Sequence, residues 1–210
     1  MIEITPQDAL LVVDIQYDFL PGGSLAVAGG DEIVPLINIL ARRFTNVVLT
    51  QDWHPADHIS FASQHPGKNP FDVIDLPYGK QVLWPDHCMW NTNGAELSAD
   101  LDIPHGQLII RKGYTRAVDS YSGFQEADRK TRTGLAGYLA ERQLKKLYIV
   151  GLATDFCVGW TAIDARAAGY ETFVIEDATR AIDTNGSLAK AWADMKTAGV
   201  NRLQSIDILG

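Results

Sequence analysis

The chain has 210 residues, 46% of them hydrophobic and 21% charged, which is the make-up of a globular protein and excludes a disordered one. Eighteen Lys+Arg against 26 Asp+Glu give a net charge of -8, which argues against a nucleic-acid or membrane-surface partner, since either would want a basic face. The longest apolar stretch near the start, Ala9 to Val13, is far short of a bilayer span, and residues 1 to 8 lack the basic start of a signal peptide.

In chain order, the first element is a short continuous apolar strand from Ala9 to Ile15 with Asp14 near its end. A helix follows, capped by Asp31, with Ile33, Ile37, Leu40 and Phe44 as its stripe; Pro35 is tolerated in its first turn, where backbone donors lack helical partners. Strands are predicted at 46–51 and 107–112. The helix of 133–142 carries Leu135 and Leu139, and the strand of 147–151 comes next. Asp155 is the expected cap of a helix through Val158, Ala162 and Ala165 that Gly169 stops. A strand at 172–176 and a helix capped by Ser187, with Leu188, Trp192 and Met195 on one face and Gly199 at its stop, lead to a last strand over 201–206. Strands that are apolar without alternation are covered on both faces, and strand–helix–strand order with right-handed crossovers builds an α/β parallel sheet. No linker or composition break interrupts residues 1–210, so the chain reads as one domain.

Two segments escape this regularity. Residues 52–106 hold one weak helix candidate near Ala95 to Leu101, and residues 113–132 look irregular. Loops that long are uncommon in a compact domain unless they serve a function. The first holds His54, His58, His65 and His87, with His105 at its far end.

Ligands of open α/β sheets bind beyond the carboxyl ends of the strands. Asp14, the Asp52/His54 pair, Lys112 and the stretch Gly151 to Cys157 all arrive at that edge. Cys157 falls in the first turn of a helix, where the dipole and free N–H groups favour a thiolate. Taken alone it would be a small buried hydrophobe, as we read Cys88; beside an acid and a lysine it becomes a nucleophile, with Asp14 as base and Lys112 orienting it. The two cysteines form no disulfide scaffold and no C-x-x-C pair, which suits a reducing, cytoplasmic compartment. Asp52 and His54 are two apart in an extended segment, so their side chains point the same way and can share an ion. His87, in Trp84-Pro85-Asp86-His87-Cys88, is the third ligand candidate; His58 and Ser60 are weaker ones. Two histidines and a carboxylate suit Zn or Fe(II), with Mn also accommodated. Phe19, Trp53, Trp84 and Tyr121 lie in the same loops, either as anchors or as walls for a flat ring. Neither G-x-G-x-x-G opening a helix nor a phosphate loop is present, which argues against a nucleotide cofactor.

Ordered blocks carry a family resemblance: Val12 to Phe19, Pro21 to Val27, Gln51 to Pro55, Trp84 to Cys88, Arg111 to Gly113, Asp119 to Phe124 and Gly151 to Val158. Through them the chain resembles the nicotinamidases of the isochorismatase-like cysteine hydrolases over essentially its whole length. The resemblance implies a three-layer α/β/α fold with a six-stranded, mostly parallel sheet in order 3-2-1-4-5-6. It implies Asp14, Lys112 and Cys157 as catalytic triad and Asp52, His54 and His87 as ligands of one divalent metal ion. A cis peptide between Leu152 and Ala153 is implied as well, with the N–H groups of Ala153 and Cys157 forming an oxyanion hole. Phe19, Trp84 and Tyr121 resemble the ring-binding residues; relatives differ in whether a fourth side chain joins the metal, for which His58, Ser60 and Gln64 are the candidates here. The implied reaction is hydrolysis of nicotinamide to nicotinate and ammonia, with pyrazinamide also accepted; a carbamoyl or ureido amide is the alternative substrate. Family members form dimers or larger homo-oligomers, though no apolar stripe in this sequence specifies an interface.

Overall fold

The computed structural model describes residues 1–210. Its strands are β1 (Asp8–Val13), β2 (Asn46–Asp52), β3 (Val73–Leu76), β4 (Gly79–Val82), β5 (Leu108–Lys112), β6 (Lys146–Leu152), β7 (Glu171–Arg180) and β8 (Asn201–Leu203). The helices are α1 (Val34–Ala41), α2 (Leu135–Glu141), α3 (Gly159–Ala167), α4 (Ser187–Thr197) and α5 (Ile206–Leu209). Six strands form one all-parallel sheet in the order β5-β2-β1-β6-β7-β8. Counted within that sheet, this is the expected 3-2-1-4-5-6.

Strands β1 and β2 are buried at every residue, which explains why neither alternates in hydropathy. Their side chains still alternate between two cores. Leu10 and Val12 join Ile37 and Leu40 of α1 on one face. Ala9, Leu11 and Val13 join Leu135 and Leu139 of α2 and Ala162 and Ala165 of α3 on the other. The strand order reverses between β1, whose other neighbour is β2, and β6, whose other neighbour is β7. That reversal opens a crevice beyond Val13 and Leu152, where such sheets bind ligands.

None of the three expected caps holds its helix through its side chain. Helix α1 starts at Val34, after Ile33, with Pro35 in its first turn as expected, and Asp31 does not cap it with its side chain. Ser187 is the first residue of α4, after Gly186. Its hydroxyl donates to the Asp155 carboxylate at 2.5 Å instead of capping its own helix. Asp155 in turn caps nothing: it accepts from the backbone N–H groups of Ile182 (3.1 Å) and Asp183 (2.9 Å) and so ties the Cys157 turn to the loop after β7. The long segment 52–106 contains the antiparallel β3–β4 hairpin, which the sequence reading missed, and only a single helical turn at Asn93–Ala95 where the weak helix was expected.

Candidate active site

Asp14 follows β1 directly and turns left-handed, with φ 49°. That conformation is uncommon for a residue with a side chain and recurs where function demands it. Next to it Gly151 has φ 111°, and a Cβ there would lie 2.1 Å from the Val13 carbonyl oxygen, so only glycine lets β6 approach β1 this closely. The Asp14 carboxylate is fully buried; it accepts from the Thr50 hydroxyl at 2.6 Å and pairs with Lys112 Nζ at 2.8 Å. Lys112 closes β5 with its ammonium also 3.3 Å from Cys157 Sγ and in contact with the Asp52 carboxylate. A carboxylate oxygen of Asp14, one of Asp52 and Cys157 Sγ lie within 4.8 Å of one another. The predicted acid, lysine and thiol therefore meet around one nitrogen.

Cys157 sits in a wide helical turn, Thr154–Val158, that runs straight into α3. The peptide between Leu152 and Ala153 is cis, as expected, and the Ala153 N–H has no partner within the chain. Burial opposes the charge on Lys112, yet Asp14 and Asp52 hold its ammonium far above the usual lysine range. For Asp14 burial wins over Lys112 and raises the carboxyl above an ordinary aspartate. Burial also pushes the Cys157 thiol well up, more than Lys112 lowers it. Burial thus works against the thiolate that the helix start and Lys112 favour, and it does so beside a buried carboxylate placed to take the proton.

Asp52 ends β2, and its Oδ2 lies 3.7 Å from His54 Nε2 and 3.9 Å from His87 Nε2. Each imidazole is oriented from behind, His54 Nδ1 on the Gly113 carbonyl and His87 Nδ1 on the Pro85 carbonyl, both at 2.8 Å. Such carbonyls fix the tautomer that leaves Nε2 free for a metal ion. Gly113 makes this possible, since a Cβ there would lie 2.3 Å from His54 Cε1. For Asp52, burial alone would raise the carboxyl, but Lys112 and His54 outweigh it and keep it ionised. Burial, helped by His54, lowers His87 to about 4, so it is a neutral donor at neutral pH. Carboxylate, two free Nε2 atoms and their spacing fit a divalent cation.

Of the extra ligand candidates, Gln64 is exposed and bonded to Ser63, away from the trio. His58 spends both nitrogens on neighbours, Nδ1 with Ser60 Oγ at 2.7 Å and Nε2 with the Val118 carbonyl at 3.2 Å. His65 and His105 bond to the carbonyls of Ile59 and Ala41 and have structural roles.

Phe19, Trp84 and Tyr121 line one narrow cavity together with Asp52, His87, Ala153 and Cys157. Phe156, Ile182 and Asp119 are also in its wall and carry no sequence signal that marks them for it. Phe156 sits 4.8 Å from the Trp84 ring and 5.7 Å from the Tyr121 ring, between centroids. A larger hollow between α3 and α4 contains none of the triad or imidazole groups, so chemistry and not size identifies the site.

Gln16 also escaped the sequence reading. Its carboxamide accepts from the Asp52 N–H and donates to the Asp52 carbonyl, both at 2.8 Å, re-knitting β1 to β2 where their ladder has ended. It lies two residues past Asp14 inside the Val12 to Phe19 block and carries no spacing signal of its own.

The isochorismatase domain family matches residues 8–207. The chain belongs to the isochorismatase family. Within that family it is 62% identical over 201 residues to the nicotinamidase of Acinetobacter baylyi, covering 96% of this chain and 94% of that one. Among solved structures it is similar to the Acinetobacter baumanii nicotinamidase/pyrazinamidase, with TM-score 0.96, 59% identity and coverage of 97% and 99%. The Pyrococcus horikoshii pyrazinamidase in complex with zinc is also similar, with TM-score 0.78, 37% identity and coverage of 95% and 99%.

Proposed function

We propose that this isochorismatase-family chain hydrolyses nicotinamide to nicotinate and ammonia, through a thioester on Cys157. One observation carries the reading: Cys157, with Lys112 and Asp14 beside it, opens into the same cavity as Asp52 and His87 of the Asp52, His54 and His87 trio. Similarity to nicotinamidases over nearly the full length supports it.

Asp52, His54 and His87 would hold one divalent ion, Zn or Fe(II) by donor type with Mn also suited, and a zinc-bound relative supports this assignment. When bound, the ion offers the pyridine nitrogen a Lewis-acid partner, which pins the ring. Phe19, Trp84 and Tyr121 sandwich that ring and exclude water. Asp14 takes the Cys157 proton as sulfur attacks the carboxamide carbon, so no free thiolate need accumulate in the buried site. The N–H groups of Ala153 and Cys157 receive the developing oxyanion; losing one such donor typically costs about 2.7–4 kcal/mol of barrier. Asp14 returns the proton to the leaving nitrogen, ammonia departs, and a thioester remains. Water, deprotonated by Asp14, then releases nicotinate and restores the thiol. Lys112 stays cationic throughout and keeps Asp14 positioned.

Pyrazinamide, which differs by one ring nitrogen, fits the same slot. A carbamoyl or ureido amide would leave the ion without a heterocycle to hold. Residues 1–210 act as one domain in this reading, and two buried, unpaired cysteines favour a reducing cytoplasm. No helix is long and apolar enough to cross a membrane.

The test is mass spectrometry of protein quenched during turnover. A nicotinoyl adduct on Cys157 with ammonia release is expected. Turnover without any adduct, or by a Cys157→Ala variant at the normal rate, rejects the covalent route.

A further inference from the structure

One buried side chain reaches the cavity wall from an element that otherwise stands in solvent. Every residue of β3 and β4 is exposed or half-exposed except Gln81, which is 1% exposed. A primary amide is buried only where its hydrogen-bonding capacity is met. Here both ends are met. Nε2 donates to Asp119 Oδ2 at 2.6 Å and to the Val82 carbonyl at 2.7 Å, and lies 3.1 Å from the Tyr121 hydroxyl oxygen. Oε1 accepts from the Tyr78 hydroxyl at 3.1 Å. The partners fix the amide's orientation, because turned over its carbonyl would face a carboxylate and a carbonyl.

Asp119 and Tyr121 belong to the irregular segment 113–132, so this one amide ties the hairpin to the loop that walls the cavity. The Tyr121 hydroxyl also accepts from Trp84 Nε1 at 3.1 Å, and Trp84 follows the hairpin by two residues. Both aromatic walls are thus linked at one phenolic oxygen that Gln81 steadies. Burial, with Asp119 beside it, pushes that phenol far above the usual range, so it stays protonated and neutral.

We propose that Gln81 is the specificity-determining positioning residue of this site: through Tyr121 and Asp119 it fixes the corner at which the Trp84 and Tyr121 rings meet edge-on, and so the hairpin sets the shape of the ring slot. The inference rests on the reading of Tyr121 and Trp84 as ring-binding walls in a nicotinamidase. Gln81 does not touch the reacting atoms, which sit on the ends of sheet strands and do not depend on the hairpin.

The test compares wild type with Gln81→Met, which keeps length but removes the amide, and with Gln81→Ala. KM for nicotinamide is expected to rise about tenfold in both, with kcat within about twofold. The preference for nicotinamide over 5-methylnicotinamide, as a ratio of kcat/KM values, is expected to narrow several-fold. Bound metal per chain should not change, which separates a loosened wall from a disturbed centre. Tyr78→Phe, which removes the donor to Oε1 together with the acceptor of the Asp119 N–H at 3.4 Å, is expected to shift KM in the same direction by less, and it decides the matter should the Gln81 variants fail to fold. An unchanged KM in folded Gln81→Met or, in that event, in Tyr78→Phe overturns the inference while wild-type turnover still stands. A loss confined to kcat, or to metal content, overturns it as well. Absence of nicotinamide turnover in wild type overturns the functional reading first and this inference with it.

Discussion

The site is assembled from two regions built on different principles. Asp14, Lys112 and the Cys157 turn hang on the ends of β1, β5 and β6, strands fixed in register by the parallel sheet. The histidines and the Trp84 and Tyr121 walls come from the long excursions around residues 52–106 and 113–132, where ordering depends on side chains gripping backbone: Asp18 Oδ2 accepts from the Cys88 N–H at 2.7 Å, beside His87. The first region needs positions held to a fraction of an ångström for proton and sulfur transfer, and strand ends supply that. The second needs a concave surface with varied donors, which a sheet edge cannot make. Chemistry and recognition are therefore expected to separate under mutation.

The largest effect tests the chemical half. Cys157→Ala should lower ammonia release by about 10⁴-fold or more while nicotinamide binding, measured by calorimetry, is retained. Loss of binding in that variant would mean the two halves are not separable.

Asp14→Asn should cost about 10²–10⁴-fold in kcat. For wild type, the base must be ionised, and burial raises its carboxyl above an ordinary aspartate. Activity is therefore lost as pH falls through that raised value, so the acid limb of kcat/KM should lie above the ordinary aspartate value of about 3.9.

Turning to recognition, His54→Ala should weaken zinc binding by at least about 100-fold in a chelator competition, with the melting temperature of the metal-free protein little changed. A fall in metal-free stability as large as the metal effect would show that His54 braces the loop instead.

Lys112→Met probes the seam between the halves. It leaves the Asp14 and Asp52 carboxylates buried without their cation, and about 3–5 kcal/mol of stability should be lost in denaturant unfolding at pH 7. The smallest effect is expected for Thr50→Val, which removes one hydrogen bond to Asp14; a loss of about tenfold in kcat with KM unchanged would place Thr50 with the chemical half.

Much of this was readable before any coordinates. The continuous apolar runs of β1, β2 and β6 declared a sheet covered on both faces, and the residue following each strand marked the site because strand ends of such sheets point into one crevice. Asp14, Lys112 and Cys157 needed no more than that, together with the family blocks. His54 followed from its two-residue spacing to Asp52. The hairpin was invisible because its alternation is weak: Val73 is more exposed than Ile74, and only Gln81 of its eight strand residues is buried. Asp155 and Ser187 misled as caps because a short polar side chain satisfies either its own helix or a distant partner, and local sequence does not record which.

The sequence by itself determined which elements form and which residue types crowd the sheet edge, since periodicity and composition are local properties of the chain. Only the tertiary structure decided that Asp52 faces Lys112 as well as two imidazoles, that Gln16 and Gln81 spend their amides bracing the site, and that burial pushes the Cys157 thiol up. Those outcomes depend on distances between segments far apart in the chain and on the removal of water from between them.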